Sequence, residues 1–166
     1  LEVAGKTYQA IDFDGAGSEG EIGEPMLPVF SRFSMIPQRA GVSFQVMATE
    51  TTELPGYRPF PVQDGDADGA FALDAAAYAR VGYGDAEPAR IGEPALARDL
   101  RVVPITFRPV RYDASRGTIE AASRITVRVA YTGEDLRNVP ARTQFTVASS
   151  FDQLYRALVA NYEDPA

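Results

Sequence analysis

Alternation of apolar and polar side chains predicts strands at several places along the chain. Val42, Phe44, Val46 and Ala48 alternate with Ser43, Gln45 and Met47, the period of two that turns one strand face to a core and the other to water. Thr49, Thr51 and Thr52 prolong that run with β-favouring side chains. Further on, Val103, Ile105 and Phe107 share one strand face before Pro109, and Ile125, Val127, Val129 and Tyr131 share another with Thr126, Arg128 and Ala130 opposite. The link Tyr112-Asp113-Ala114-Ser115-Arg116-Gly117-Thr118-Ile119 carries turn chemistry, so these two strands are expected to pair directly as a hairpin. Pro104 cannot donate to a ladder, which makes its stretch an edge strand or starts it at Ile105. Val3, Tyr8, Ile11 and Phe13 predict one or two opening strands, closed by the loop Asp14 to Ser18. A further strand, Val29 to Ile36, is entered through Gly23-Glu24-Pro25-Met26-Leu27-Pro28 and ended by Pro37.

Between these runs lies a long excursion. Leu54 to Asp68 is rich in proline, glycine and aspartate, and Ala70 to Tyr83 is rich in alanine, with Phe71, Leu73, Tyr78, Val81 and Tyr83 as its large anchors. The period changes at the C-terminal end, where Phe151, Leu154, Tyr155, Leu158, Val159 and Tyr162 recur at helical spacing. Ser150 with Gln153 makes a capping box, so one amphipathic helix is predicted over about 151–161. Many short strands with turn signals between them and one terminal helix predict an all-β fold, an antiparallel β-sandwich or jelly-roll-like single domain over 1–166. Alternating βαβ units are absent from the pattern, and with them the phosphate-cradling glycine loops at strand-to-helix turns.

Composition narrows the chemistry. The 166 residues include no cysteine and no histidine, which removes thiol and imidazole nucleophiles and bases and the usual zinc ligands. Catalysis would have to come from carboxylate, Lys or Tyr groups. Glu19, Glu21, Glu24, Asp99 and Glu120 could in principle face one another as hydrolase pairs, yet no spacing recommends any pair. A formal net charge of −7 with scattered arginines speaks against nucleic acid and anionic membrane surfaces as partners. No apolar run reaches the roughly 20 residues of a spanning helix. The first residue is Leu1 rather than Met, which fits a chain trimmed of a targeting signal.

Three segments in order, Gly23-Glu24-Pro25-Met26-Leu27-Pro28 ahead of a strand, Arg101 leading to Phe107-Arg108-Pro109-Val110-Arg111-Tyr112-Asp113, and Phe151 to Asn161-Tyr162, resemble the N-terminal pro-domain of gingipain-type cysteine peptidases. The resemblance covers about Gly23 to Tyr162. It implies a β-sandwich between a signal peptide and a catalytic domain carrying Cys and His, which is expected downstream of Asp164-Pro165-Ala166, and with the signal peptide an exported protein of the periplasm, cell surface or medium. It further implies a propeptide acting as intramolecular chaperone and latency-maintaining inhibitor of a zymogen, with the cognate peptidase domain as partner. The alternative is an independent β-sandwich binding module for carbohydrate or a cell-surface protein, for which Tyr57 and Tyr83 are the best surface candidates, Tyr131 and Tyr155 being expected in the core.

In arginine-specific members of that family a loop in the middle of the pro-domain presents an Arg to the specificity pocket. The matching stretch here is acidic, so the cleft-blocking candidates are Gln63, Asp64, Gly65, Asp66, Ala67, Asp68 and Gly69, with Arg58 and Arg80 as the alternative basic groups nearby. Asp64, Asp66, Asp68 and Gly69 also reproduce the first six positions of a calcium loop, with the Ala70 carbonyl at the seventh. Ala75 stands where the bidentate Glu belongs, so a solvated acidic turn is expected and calcium is the candidate ligand of the competing reading. No cofactor is required by either.

Overall fold

The computed structural model describes residues 1–65, 70–98, 100–140 and 149–162, with residues 149–151 described by backbone alone. Its strands are β1 (Glu2–Val3), β2 (Lys6–Thr7), β3 (Gly17–Glu19), β4 (Leu27–Met35), β5 (Ala40–Pro55), β6 (Ala89–Ile91), β7 (Ala95–Ala97), β8 (Leu100–Phe107), β9 (Val110–Asp113) and β10 (Thr118–Glu134), followed by the helix α1 (Ser149–Leu158). A 3-10 turn, Ala77–Ala79, interrupts the long middle segment. The sheets are antiparallel and the fold is mostly β, as the alternation predicts. β1 pairs with β2, β5-β10-β9 form a three-stranded sheet, and β3-β4-β8-β6 form a larger sheet in which β7 also pairs with β8.

The chain divides into two compact units, each assembled from three separate stretches. Unit 1 comprises Leu1–Phe30, Ala48–Pro88 and Phe107–Thr126, and unit 2 comprises Ser31–Met47, Ala89–Thr106 and Val127–Ala166. In unit 1 the core is aromatic: Tyr8, Tyr78, Val110, Tyr112 and Ile119 are buried, with Phe60 and Phe71 packed against them. Most of these rings meet edge-on or tilted, such as Tyr8 with Tyr78 at 6.0 Å and 84°, the geometry that the ring quadrupole favours. The middle segment thus contributes Phe60, Phe71 and Tyr78 to the core, while Leu73 and Val81 stay exposed. Pro59 and Pro61, both fully buried, bridge to Gln9 and Pro25, and prolines suit such single bridges because they have one fewer donor to satisfy.

The predicted direct pairing of the Val103 strand with the Ile125 strand does not occur. Arg108-Pro109 breaks the chain between β8 and β9, β8 belongs to the larger sheet, and the hairpin partner of β10 is β9, with Asp113 opposite Thr118 and Tyr112 opposite Ile119. Its turn is the expected one: the Asp113 carboxylate accepts from Ser115 N–H, Ser115 Oγ and Arg116 N–H, and Gly117 takes φ +58°, a left-handed conformation glycine adopts freely. Nor is β8 an edge. It tolerates Pro104 where the neighbouring chain passes from β6 to β7: Gly92 N–H donates to the Pro104 carbonyl at 2.8 Å, and a Cβ on Gly92 would lie 2.6 Å from the proline ring.

In unit 2 a second core gathers Leu100, Val102, Tyr155 and Val159, with Phe33, Met35 and Tyr162 against them. The helix starts at Ser149 and stops at Leu158, three residues short of the predicted end. Its register with β4 ends it: Val159 bridges Phe33, Ala160 N–H donates to the Phe33 carbonyl at 2.8 Å, and the Asn161 amide takes both Met35 N–H (2.7 Å) and Met35 C=O (2.8 Å). The buried stripe is narrower than the spacing implied, because Leu154 and Leu158 are 47% and 40% exposed while Tyr155 and Val159 are buried. The Ser150 side chain of the predicted capping box lies outside the described residues.

Candidate functional site

The expected cleft-blocking loop belongs to unit 1, and its base is held by side chains that the sequence motif supplies. Gln63 closes the neck: Nε2 donates to the Pro61, Val62 and Ala72 carbonyls, and Oε1 accepts from Ala72 N–H at 2.9 Å. The Gly23-Glu24-Pro25-Met26 stretch runs along it. Gly23 N–H donates to Val62 C=O, Val62 N–H to Glu24 C=O, Met26 N–H to Phe60 C=O and Asp74 N–H to Gly23 C=O. Gly23 sits at φ +89° with Asp74 N only 2.8 Å from where a Cβ would be, so no other residue fits there. Asp74 in turn caps the 3-10 turn through Ala76 N–H and Ala77 N–H. Asp64, Gly65 and Ala70 are exposed, and Asp66, Ala67, Asp68 and Gly69 lie outside the described residues. Among the described residues no cluster of three or more acidic side chains is poised to hold a metal.

The two basic alternatives have different surroundings. Arg58 is half-buried, with its guanidinium carbon 5.1 Å from the Tyr8 ring centre and 4.9 Å from that of Tyr78. A cation between two rings packs against the aromatic core. Arg80 is exposed and touches Glu24 at 3.5 Å. Its carbonyl is taken by Ser115 N–H. Arg80 lines a cavity of about 210 Å³ together with Glu24, Pro25, Tyr83, Arg108 and Arg111. Arg108 grips Glu19 through two nitrogens, at 2.9 and 2.5 Å, and Arg111 holds Glu120 in the same way.

Beyond Arg80 the chain is tied down by a cluster that no sequence spacing announces, because its members lie far apart along the chain. Tyr83 OH donates to Glu53 at 2.6 Å, Arg116 donates to the same oxygen at 2.7 Å, and the Arg111 and Arg116 guanidinium groups lie 5.2 and 5.8 Å from the Tyr83 ring centre. The hydrogen bonds from Tyr83 and Arg116 hold the Glu53 carboxyl below its ordinary range. Desolvation, then the Glu53 hydrogen bond, pushes the Tyr83 phenol up to about 12. Tyr83 is therefore an anchor, and Tyr57 packs against the aromatic core. Tyr155 is buried as expected, whereas Tyr131 is 49% exposed, its hydroxyl donating to Met35 C=O.

The Propeptide_C25 family model matches residues 1–166. The chain belongs to the C25 propeptide family. Lys-gingipain HG66 of Porphyromonas gingivalis is 27% identical over 146 residues, 81% of this propeptide and 8% of that protein. Gingipain R2 of the same species is 24% identical over 152 residues, 86% of this propeptide and 20% of that protein. The propeptide thus spans a small part of the length of the curated relatives it matches. Among solved structures, the complex of Porphyromonas gingivalis RgpB pro- and mature domains superposes with a TM-score of 0.79 at 21% identity, covering 98% of this chain and 85% of that one; this likeness is one of fold. A structure described as giving insight into zymogenic latency of gingipain K superposes with a TM-score of 0.69 at 25% identity, covering 80% and 79%. No helix of the C25 propeptide, among the described residues, is long and apolar enough to cross a membrane.

Proposed function

We propose that this C25 propeptide is the non-catalytic pro-domain of an exported cysteine peptidase precursor, assisting the folding of the peptidase domain and holding it latent. The family match over the whole chain carries the reading, and the likeness to pro-domains solved with, or in the context of, their gingipains supports it. Absence of Cys and His fits a segment that lends surface rather than chemistry. Stabilisation follows from mass action, because a partner that binds only the native enzyme shifts its folding equilibrium. Adding the purified chain to the mature peptidase tests the reading: inhibition and a higher refolding yield are expected, and an enzyme indifferent to a large excess of the chain refutes it.

For the acidic stretch we propose a solvated loop without a resident ion, cleft-blocking through Gln63 to Gly69 and not through Arg58. A motif lacking its bidentate carboxylate at Ala75 holds calcium poorly. Millimolar calcium added to the metal-free chain is expected to leave the melting temperature unchanged, and a rise of several degrees would reverse this assignment. Replacing Asp64 to Asp68 by alanines is expected to weaken inhibition in trans.

A further inference from the structure

Unit 1 contains six arginines, and five of them, Arg80, Arg108, Arg111, Arg116 and Arg124, lie against a carboxylate. Arg58 is the sixth. Although the chain carries 23 acidic side chains, none among the described residues forms an ion pair with it. Arg58 is half-buried, and its Nε is sealed from solvent without an acceptor. The terminal nitrogens are not sealed in that way, so the tip of the guanidinium fork meets solvent. A partly desolvated charge whose donors lack acceptors is costly and rare in folded proteins, and it calls for a partner.

The group is also held in place. Arg58 N–H donates to Gln9 Oε1 at 2.8 Å, Gln9 N–H donates to the Arg58 carbonyl at 2.9 Å, and Gln9 Nε2 reaches the Gly56 carbonyl at 3.0 Å. The guanidinium then lies over the rings of Tyr8 and Tyr78, and Tyr78 is itself fixed by its bond to the buried Pro59 carbonyl. Ring contacts engage the face of a guanidinium and leave its in-plane N–H donors unused. A planar fork fixed in this way loses little freedom when it meets an acceptor. The acceptor that matches two parallel N–H donors is a carboxylate. A net charge of −7 repels small anions and acidic polymers from solution. The carboxylate best able to reach Arg58 is therefore one carried on a protein surface that other contacts and a shared chain already bring close.

We propose that Arg58, clamped by Tyr8 and Tyr78, is a docking anchor that takes an Asp or Glu side chain on the surface of the peptidase domain. This rests on the pro-domain reading above. The contact is separate from the cleft blocking assigned to Gln63 to Gly69: it fixes where the pro-domain sits, and it gives the half-buried charge the acceptor that its own chain withholds.

The NMR signal of the Arg58 Nε–H, followed as the mature peptidase domain is added to the labelled chain, tests it. The signal is expected to shift on binding, and Arg58→Gln is expected to weaken inhibition about tenfold or more, as the loss of a charge-assisted hydrogen bond does. Arg58→Lys, which keeps the charge and loses the fork, should weaken it too. Melting of each variant is measured first; should Arg58→Gln unfold, the signal in the wild-type complex decides. Inhibition by a folded Arg58→Gln chain equal to that of the wild type, or a signal that stays in place in the saturated wild-type complex, overturns the anchor and leaves the pro-domain reading intact. A wild-type chain that does not bind overturns both. A signal that moves equally with millimolar sodium acetate alone gives the fork to free anions and also overturns the proposal.

Discussion

Arg101 is the side chain on which unit 2 depends most. It has no exposed side-chain surface, and its guanidinium donates to four carbonyls: Arg137 (3.0 Å), Pro37 (2.9 Å), Ala40 (2.8 Å) and Asp135 (3.0 Å). The Asp135 carboxylate stands 3.6 Å away. Removing a buried charge whose partners stay behind costs about 3–5 kcal/mol, so Arg101→Met is expected to lower the urea-unfolding free energy by that order. Arg101→Lys should rescue little, because an ammonium cannot span four acceptors in a plane. Asp135 itself titrates low, its carboxyl held down to about 2 by the Arg137 side chain first, then by Arg137 N–H and by the charges of Arg137 and Arg101. A depressed folded-state pKa gives stability that is complete above the unfolded value of 3.8 and is lost as pH falls through about 2. Urea melts taken from pH 5 downward should show that decline, and Asp135→Asn should make it shallower, beneath whatever slope other carboxylates contribute.

Among the elements, those fixed by local chemistry were legible and those fixed by long-range choice were not. The Asp113 to Gly117 turn could be read from its residues, because an Asx side chain and a left-handed glycine specify the hairpin without help from elsewhere. Which strand it joins to β10 could not be read, since Val103, Ile105 and Phe107 show the same alternation whichever sheet receives them, and only the break at Arg108-Pro109 separates β8 from β9. The middle segment misled for a related reason: proline and glycine normally mark surface loops, but here Pro59 and Pro61 fill the core beside Tyr78, whose hydroxyl donates to Pro59 C=O at 2.5 Å. Of the candidate site, the acidic loop and its bracing Gly23 motif lay in contiguous sequence, while Glu53, Tyr83 and Arg116 meet only through folding. The end of α1 shows how tertiary bonds override helical period, and it can be tested. Asn161→Ala gives up two hydrogen bonds to Met35, each contributing about 0.5–1.5 kcal/mol, and should speed amide exchange through α1 more than through β10. Gly92→Ala should cost about 1–3 kcal/mol in thermal or urea unfolding, as overpacking does, because its methyl would meet the rigid Pro104 ring.

For the whole molecule, a latent precursor and a separable inhibitor make different demands on affinity, and the difference is measurable. In the precursor proposed above, pro-domain and peptidase share a chain, so each would meet the other at an effective concentration on the order of millimolar. A contact with a dissociation constant of about 1 μM, roughly −8 kcal/mol, then keeps the cleft covered in all but about one molecule in a thousand. Once the junction is cut, the same contact holds only while the two pieces remain concentrated. The 166 residues contain no cysteine, so no disulfide from them would join the cut pieces, and release is expected to follow dilution. Cleaving the junction without removing either piece is therefore expected to leave activity low at high protein concentration and to restore it on dilution through the dissociation constant, while the uncut precursor stays latent at every dilution. Activity that returns at the moment of cleavage, independent of concentration, would mean that latency resides in the intact junction and not in the propeptide's surface.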